Sequence, residues 1–282
     1  MTFWHRAALC AVLVVAAPFL KAQANESTIA NEIKGLRSLS ATERPLTTIQ
    51  VARQIQSLPA GEQKVAYADE LSNLVTEGDQ GQAALQAVAE TLTKALAETP
   101  IPATGDQPPR PYYDLARLVF YEHATTTLND PQYLQALKMM KASEADIQNA
   151  DFTLTDLHNQ KFTLSELHGK IVLVNFWATW CPPCRSEMGD LEAIYTQFQS
   201  QGLVVLSITD DEASEIRPFL ASLDYHPPVL LDPGDNVHKM FHVEGIPESF
   251  LFGRDGKLVA VADDQRTQRQ FLAMLAQAGL QP

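Results

Sequence analysis

The sequence predicts an α/β sandwich with a mixed central sheet, preceded by an all-α region, and three observations predict it. Near residue 146 the apolar spacing changes from the helical period to alternation and short continuous runs. Two of those runs, Ile171–Phe176 and Leu203–Ile208, are apolar almost throughout, as strands buried on both faces are. A hairpin-like pair around Arg254-Asp255-Gly256 and a last amphipathic segment then close the chain. Strand–helix–strand followed by a hairpin and a helix is a layered α/β order.

The first elements are not part of that fold. His5 and Arg6 precede an apolar run, Ala7 to Leu20, and Ala22-Gln23-Ala24 supplies the small residues of a cleavage site. This is the layout of a secretory signal peptide, expected over residues 1–24. The run is shorter than the roughly twenty residues that span a bilayer. The mature form therefore has no expected membrane span, although Lys21 leaves an uncleaved N-terminal anchor as an alternative.

Residues 25–145 read as a helical domain of unknown function. Apolar residues recur at helical spacing in Ile29-Ile33-Leu36, Ile49-Ala52-Ile55, Val65-Ala68-Leu71-Leu74, Ala84-Leu85-Val88-Leu92-Leu96 and Leu115-Leu118-Val119. Turn signals at Leu58-Pro59-Ala60-Gly61, Glu77-Gly78-Asp79 and the proline-rich Pro100–Pro111 separate them. Asp130-Pro131 reads as an N-cap and first helical residue, opening a helix through Met140. About six helices result.

Residues 146–282 carry the sheet. Asp151–Leu154 and Lys161–Leu164 alternate as a hairpin, and Ile171–Phe176 is a buried strand. A helix follows from about Pro182 to Gln199, then the strand Leu203–Ile208 and a helix around Ala213–Leu223. A short strand Val229–Leu231, a helix near Val237–Phe241, strands Ser249–Phe252 and Leu258–Val261, and a helix Thr267–Ala278 complete it.

Composition narrows the function. A net charge of −13 opposes phosphate backbones, so nucleic acid is not an expected partner. Removal of residues 1–24 takes away Cys10 and leaves Cys181 and Cys184. A bridge between residues so close in sequence restrains the unfolded chain little, so this pair points to chemistry rather than stapling.

Trp180-Cys181-Pro182-Pro183-Cys184 stands where a buried strand hands over to a helix. Cys181 falls at the N-cap and Cys184 in the first turn, with Cα atoms near the roughly 5.5 Å a disulfide prefers. Helix amides and dipole favour a thiolate at Cys181, the outer and accessible sulfur, and Cys184 is the buried resolving thiol. Attack on a partner disulfide gives a mixed disulfide that Cys184 releases. Pro182 and Pro183 lack N–H groups, so the nearest donor to the outer sulfur is the amide of Cys184. Cys181 is therefore expected to be moderately acidified and the couple reducing; a thiolate titration with pKa near 4 would refute this.

The segment Asn175-Phe176-Trp177-Ala178-Thr179-Trp180-Cys181-Pro182-Pro183-Cys184-Arg185-Ser186-Glu187 resembles the active-site segment of TlpA/ResA-like thioredoxin-fold proteins. Gly245-Ile246-Pro247-Glu248-Ser249-Phe250-Leu251, followed by Asp255-Gly256, is similar to that family's second signature. The resemblance runs from about Asp151 to Ala278 and leaves the helical half uncovered. It implies a thioredoxin fold and an extracytoplasmic, periplasmic thiol–disulfide oxidoreductase, reducing protein disulfides, for instance in cytochrome c maturation. It implies that Pro247 is a cis-proline facing the sulfurs, leaving the Ile246 backbone free to pair with substrate. It also makes Glu187 an acid close to the inner cysteine, able to carry its proton. A solvated helix glutamate is the alternative. Asn175 stands where thioredoxins proper carry a buried aspartate, which suggests that proton transfer has moved to Glu187. Trp177 and Trp180 are expected to shield the site, Trp180 facing the partner and Trp177 also packing in the core.

No cofactor is expected beyond the Cys181–Cys184 disulfide; the partners are protein disulfides or thiols and an upstream thiol reductant. A peroxidase on the same fold is one rival, but it needs Thr or Ser three residues before its cysteine, where Ala178 stands. A client-binding adaptor dominated by the helical half is another. His238 and His242 are spaced as a possible metal pair without a third ligand, and surface histidines explain them. Arg110, Tyr112 and Tyr113 offer either a partner-binding edge or a loop anchored by aromatics.

Overall fold

The computed structural model describes residues 26–281, so the signal segment expected over 1–24, with Cys10, lies outside the described residues. Among the described residues six helices precede the sheet: α1 (26–35), α2 (Arg44–Ser57), α3 (Glu62–Val75), α4 (Gly81–Glu98), α5 (Arg110–Phe120) and α6 (Pro131–Gln148). Their apolar stripes meet in one core, with Ile33, Ile55, Leu71, Val88, Leu92 and Leu115 fully covered. Ala52, Ala68, Ala84, Ala89, Ala95 and Ala116 are buried in the same core, small side chains that let helices approach closely.

The expected cap of α6 is present: the Asp130 carboxylate accepts the Gln132 amide at 2.8 Å, with Pro131 in the first turn. The helix runs past Met140 to Gln148 because Ile147 finds a place in the core of the sheet region. Arg110, Tyr112 and Tyr113 are not in a loop. They open α5, since Pro111 sits in the first turn where its missing N–H costs nothing. Tyr112 is completely buried, its hydroxyl accepting the Ile101 amide at 3.2 Å.

The sheet has seven strands in the order β2-β1-β5-β4-β3-β6-β7. They are β1 (Thr153–Asp156), β2 (Lys161–Thr163), β3 (Ile171–Phe176), β4 (Leu203–Thr209), β5 (Val229–Leu231), β6 (Glu248–Phe252) and β7 (Leu258–Ala262). The three strands β3, β4 and β5 run parallel, and the remaining pairings are antiparallel. Every residue of central β3 is buried, because α7 (Pro182–Phe198) and α10 (Gln268–Gln277) cover one face. Phe152, Phe241, Phe250 and Phe252 pack on the other face, beside α9 (Asn236–Met240). With α8 (Ala213–Leu220) after β4, this mixed sheet between helices is the thioredoxin fold.

The two regions share contacts. Gln148 at the end of α6 donates to the Gly256 carbonyl at 3.0 Å and accepts the Leu258 amide at 2.7 Å. Among the described residues no helix is long and apolar enough to cross a membrane.

Candidate active site

Central β3 delivers the chain to the site. Its ladder runs one residue further, the Trp177 amide bonding the Ile208 carbonyl at 3.0 Å. The loop is then held by Thr179, whose amide donates to the Asp211 carboxylate at 2.6 Å. Cys181 has the extended backbone of an N-cap (φ −87°, ψ 107°), and its carbonyl accepts the Arg185 amide at 3.1 Å, so α7 starts here.

Cys181 and Cys184 form a disulfide, with Cα atoms 5.3 Å apart. The Cys184 amide donates to the Cys181 sulfur at 3.2 Å, and the two intervening prolines have no N–H to offer. Cys184 is fully buried, as the inner position requires. Cys181 departs from expectation: it is 2% exposed rather than open. The cover comes from the loop before β6, where the Ile246–Pro247 peptide is cis and the Ile246 carbonyl lies 3.6 Å from the Cys181 sulfur. Pro247 is buried and Ile246 half-buried.

Glu187 lies one turn beyond Cys184 on α7 and is 1% exposed, so it is not a solvated helix glutamate. Its Oε1 accepts from the Asn175 side chain at 2.8 Å and its Oε2 from the Arg266 amide at 3.0 Å. The same Asn175 amide group reaches Ser249 Oγ at 3.0 Å, because β3 and β6 place the two residues opposite each other. Burial pushes the Glu187 carboxyl up to about 8, and its two hydrogen bonds and the Arg266 charge only partly oppose this. A carboxyl of this kind exchanges a proton near neutral pH.

The two tryptophans part company. Trp177 is buried against Phe219 in the cluster that holds both cysteines, whereas Trp180 is 70% exposed beside the disulfide. His238 Nδ1 lies 2.8 Å from Asp232 and His242 Nε2 lies 3.5 Å from Asp146, so each histidine has its own carboxylate. No group of three metal-binding side chains occurs among the described residues.

Sequence reasoning missed the polar loop behind Glu187. Asp263, Asp264 and Arg266, between β7 and α10, drew no assignment from the sequence, yet Arg266 is 4% exposed and paired with Glu122. Asp263 pairs with Arg117 of α5. The available signal was the excess of charge at a strand–helix junction packed beside the active-site helix. Glu248, next to Pro247, was also passed over; burial and the nearby Asp263 hold its carboxyl well above the usual range.

Residues 147–261 match the AhpC/TSA family. Thiol-disulfide oxidoreductase ResA of Bacillus thuringiensis subsp. konkukian is 32% identical over 145 residues, covering 51% of this chain and 82% of the relative. The chain belongs to the ResA thiol-disulfide oxidoreductase family. It is accordingly a thiol–disulfide oxidoreductase. The ResA of Bacillus subtilis is 34% identical over 119 residues, covering 42% of this chain and 66% of the relative. Among solved structures, a thiol:disulfide interchange protein of Chlorobium tepidum is 26% identical with a TM-score of 0.42, over 45% of this chain and 92% of that one.

Proposed function

We propose that the chain reduces protein disulfides outside the cytoplasm, with Cys181 as nucleophile, Cys184 as resolving thiol and Glu187 as carrier of the resolving proton. The observation that carries this reading is the buried carboxyl of Glu187 behind a disulfide whose outer sulfur meets one amide donor. In the forward direction the Cys181 thiolate attacks a sulfur of the client disulfide, a mixed disulfide forms, and one client thiolate leaves. Cys184 then gives its proton to the Glu187 carboxylate and attacks the Cys181 sulfur. The second client thiolate departs, and the chain keeps the disulfide.

An upstream dithiol recharges it. One thiolate of that reductant attacks the Cys181 sulfur, the Cys184 thiolate leaves, and the protonated Glu187 carboxyl returns the proton. The reductant's second thiol then attacks its own sulfur in the mixed disulfide, releasing the Cys181 thiolate and carrying the disulfide away. With its pKa raised to about 8, the carboxyl is mostly protonated at pH 7 in the oxidised state, as this step needs. The Ile246 backbone beside the sulfur and the exposed face of Trp180 are the surfaces for the client strand. The signal-like residues 1–24 support export, and the family resemblance supports clients such as apocytochromes c. No cofactor beyond the disulfide enters the cycle.

Redox titration of the Cys181–Cys184 couple tests the direction. A potential near about −270 mV is expected for a reductase, and one near about −120 mV would overturn it in favour of an oxidant. Ala178, in place of a hydroxyl residue, favours exchange over peroxide reduction, and hydrogen peroxide consumption above that of a cysteine-free variant would reverse that preference.

An adaptor role for the helical half has one observation in its favour. A cleft of about 740 Å³ lies between α5, α6 and the Gly245–Glu248 segment. A client docked there would lie beside the cis-proline loop.

A further inference from the structure

Glu187 is held from behind by a loop that belongs to the sheet region but is gripped by the helices. The loop, Asp263 to Arg266, has no regular structure of its own, so its position follows from what binds it. Arg117 of α5 forms an ion pair with Asp263, and its guanidinium reaches the Asp263 carbonyl at 3.4 Å. Glu122, just past α5, pairs with the Arg266 guanidinium, and these side chains are 9% and 5% exposed. The hydroxyl of Thr76, at the end of α3, donates to the Asp264 carboxylate at 2.8 Å. Just beyond the loop, Arg269 pairs with Asp79. On the opposite side, the Arg266 amide donates to Glu187.

Glu187 therefore has one donor set by strand register and another set by the helical region. Asn175, braced by Ser249, moves only if β3 and β6 slip. The Arg266 amide moves if the helices release their hold. The groups facing Glu187 are Arg266, which favours its charged form, and Asp264, which opposes it. Tyr225 also faces it, its hydroxyl on Ser207, and Cys184 precedes it by one turn of α7.

We infer that Arg266 and Glu122 are positioning residues through which the helical region sets how tightly Glu187 holds its proton, and hence the pH at which the Cys181–Cys184 couple works. This rests on the reading of Glu187 as proton carrier. Without the Glu122 carboxylate, the Arg266 cation is less neutralised and its field on Glu187 grows. Glu187 then releases its proton at lower pH. Loss of the Thr76 hydroxyl instead loosens the loop and weakens the Arg266 amide's bond to Glu187, so that Glu187 holds its proton to higher pH.

The test is a carbon-13 NMR titration of the full-length oxidised protein with carboxyl-labelled glutamate, the Glu187 signal being assigned by its disappearance in Glu187→Gln. Glu122→Gln is expected to lower the midpoint by about one pH unit. Thr76→Val, which keeps the side-chain shape but loosens the loop, is expected to raise it, by less than about one pH unit. Glu98→Gln removes the ion-pair partner of Lys64 elsewhere in the helical region and is expected to leave the midpoint in place. Unchanged midpoints in Glu122→Gln and Thr76→Val would overturn the inference, and Thr76→Val decides alone if Glu122→Gln does not fold. An equal shift in Glu98→Gln would also overturn it, by showing general loosening. The underlying reading fails separately: it falls if Glu187→Gln leaves the pH dependence of disulfide reduction intact.

Discussion

Lys64 in the helical half and Glu187 in the sheet half are both ionisable side chains almost sealed from water, at 2% and 1% exposure, but the molecule treats them differently. Lys64 Nζ donates to the carbonyls of Gln56 and Leu58 at 2.9 and 3.0 Å and to Glu98 at 2.7 Å, so each proton has an acceptor. Among the described residues Glu187 receives two neutral donors and forms no ion pair, so burial dominates and its carboxyl favours the proton. The first arrangement ties the ends of three helices together. The second keeps a transferable proton beside sulfur. Buried charge serves stability where it is fully partnered and reactivity where it is not.

The comparison can be broken most severely at the sulfurs. Cys181→Ser should reduce turnover of a protein disulfide to background. Cys184→Ser should accumulate a mixed disulfide with its client, visible on non-reducing gels and by mass spectrometry. Glu187→Gln should slow resolution of that intermediate by about 10²-fold and abolish the inflection near pH 8 in the rate profile. Its stability should also respond to pH. Between pH 4.5 and about 8 the folded state holds a proton that the unfolded chain has released, so the parent protein loses stability as pH rises through this window. Glu187→Gln should show a shallower decline in urea unfolding measured across the range, the remainder coming from other buried carboxyls such as Glu248.

Lys64→Met supplies the opposite signature. It strands the Leu58 carbonyl, leaves the Gln56 carbonyl to Lys94 alone, and should cost about 2 kcal/mol in urea unfolding, with the pH profile of disulfide reduction unmoved. A changed profile would show that the two halves do not separate their buried charges as described. Trp180→Ala should have the smallest effect. It should leave stability within about 0.5 kcal/mol and raise KM for protein disulfides more than for a small aromatic disulfide.

Much of the fold was legible because the sheet region obeys simple periodicities. Ile171–Phe176 reads as a strand covered on both faces and is one. The cysteine pair was legible from its spacing at a strand-to-helix junction. What escaped notice depends on residues distant in sequence. The Gly245–Leu251 signature implied that Ile246 lies beside the sulfurs, but not that this residue, 65 positions away, covers Cys181. The partner of Arg266 is Glu122, 144 residues away, so the burial of this charge has no local sign in the sequence. The start of α5 was hidden by its own prolines, which mark a loop until Pro111 is placed in a first turn. The extension of α6 to Gln148 rests on Ile147, whose docking surface belongs to another part of the chain.

The placement of the indoles has a spectroscopic consequence. The chain has three tryptophans; Trp4 falls in the segment outside the described residues, and the other two, Trp177 and Trp180, flank the disulfide, one sealed and one in solvent. Nearly all long-wavelength ultraviolet emission of a chain lacking residues 1–24 thus originates within a few residues of the reacting sulfurs. Opening the bridge should change the brightness of the inner ring, and docking a client should change the colour of the outer one. The molecule would report both events in a single spectrum, with no dye attached.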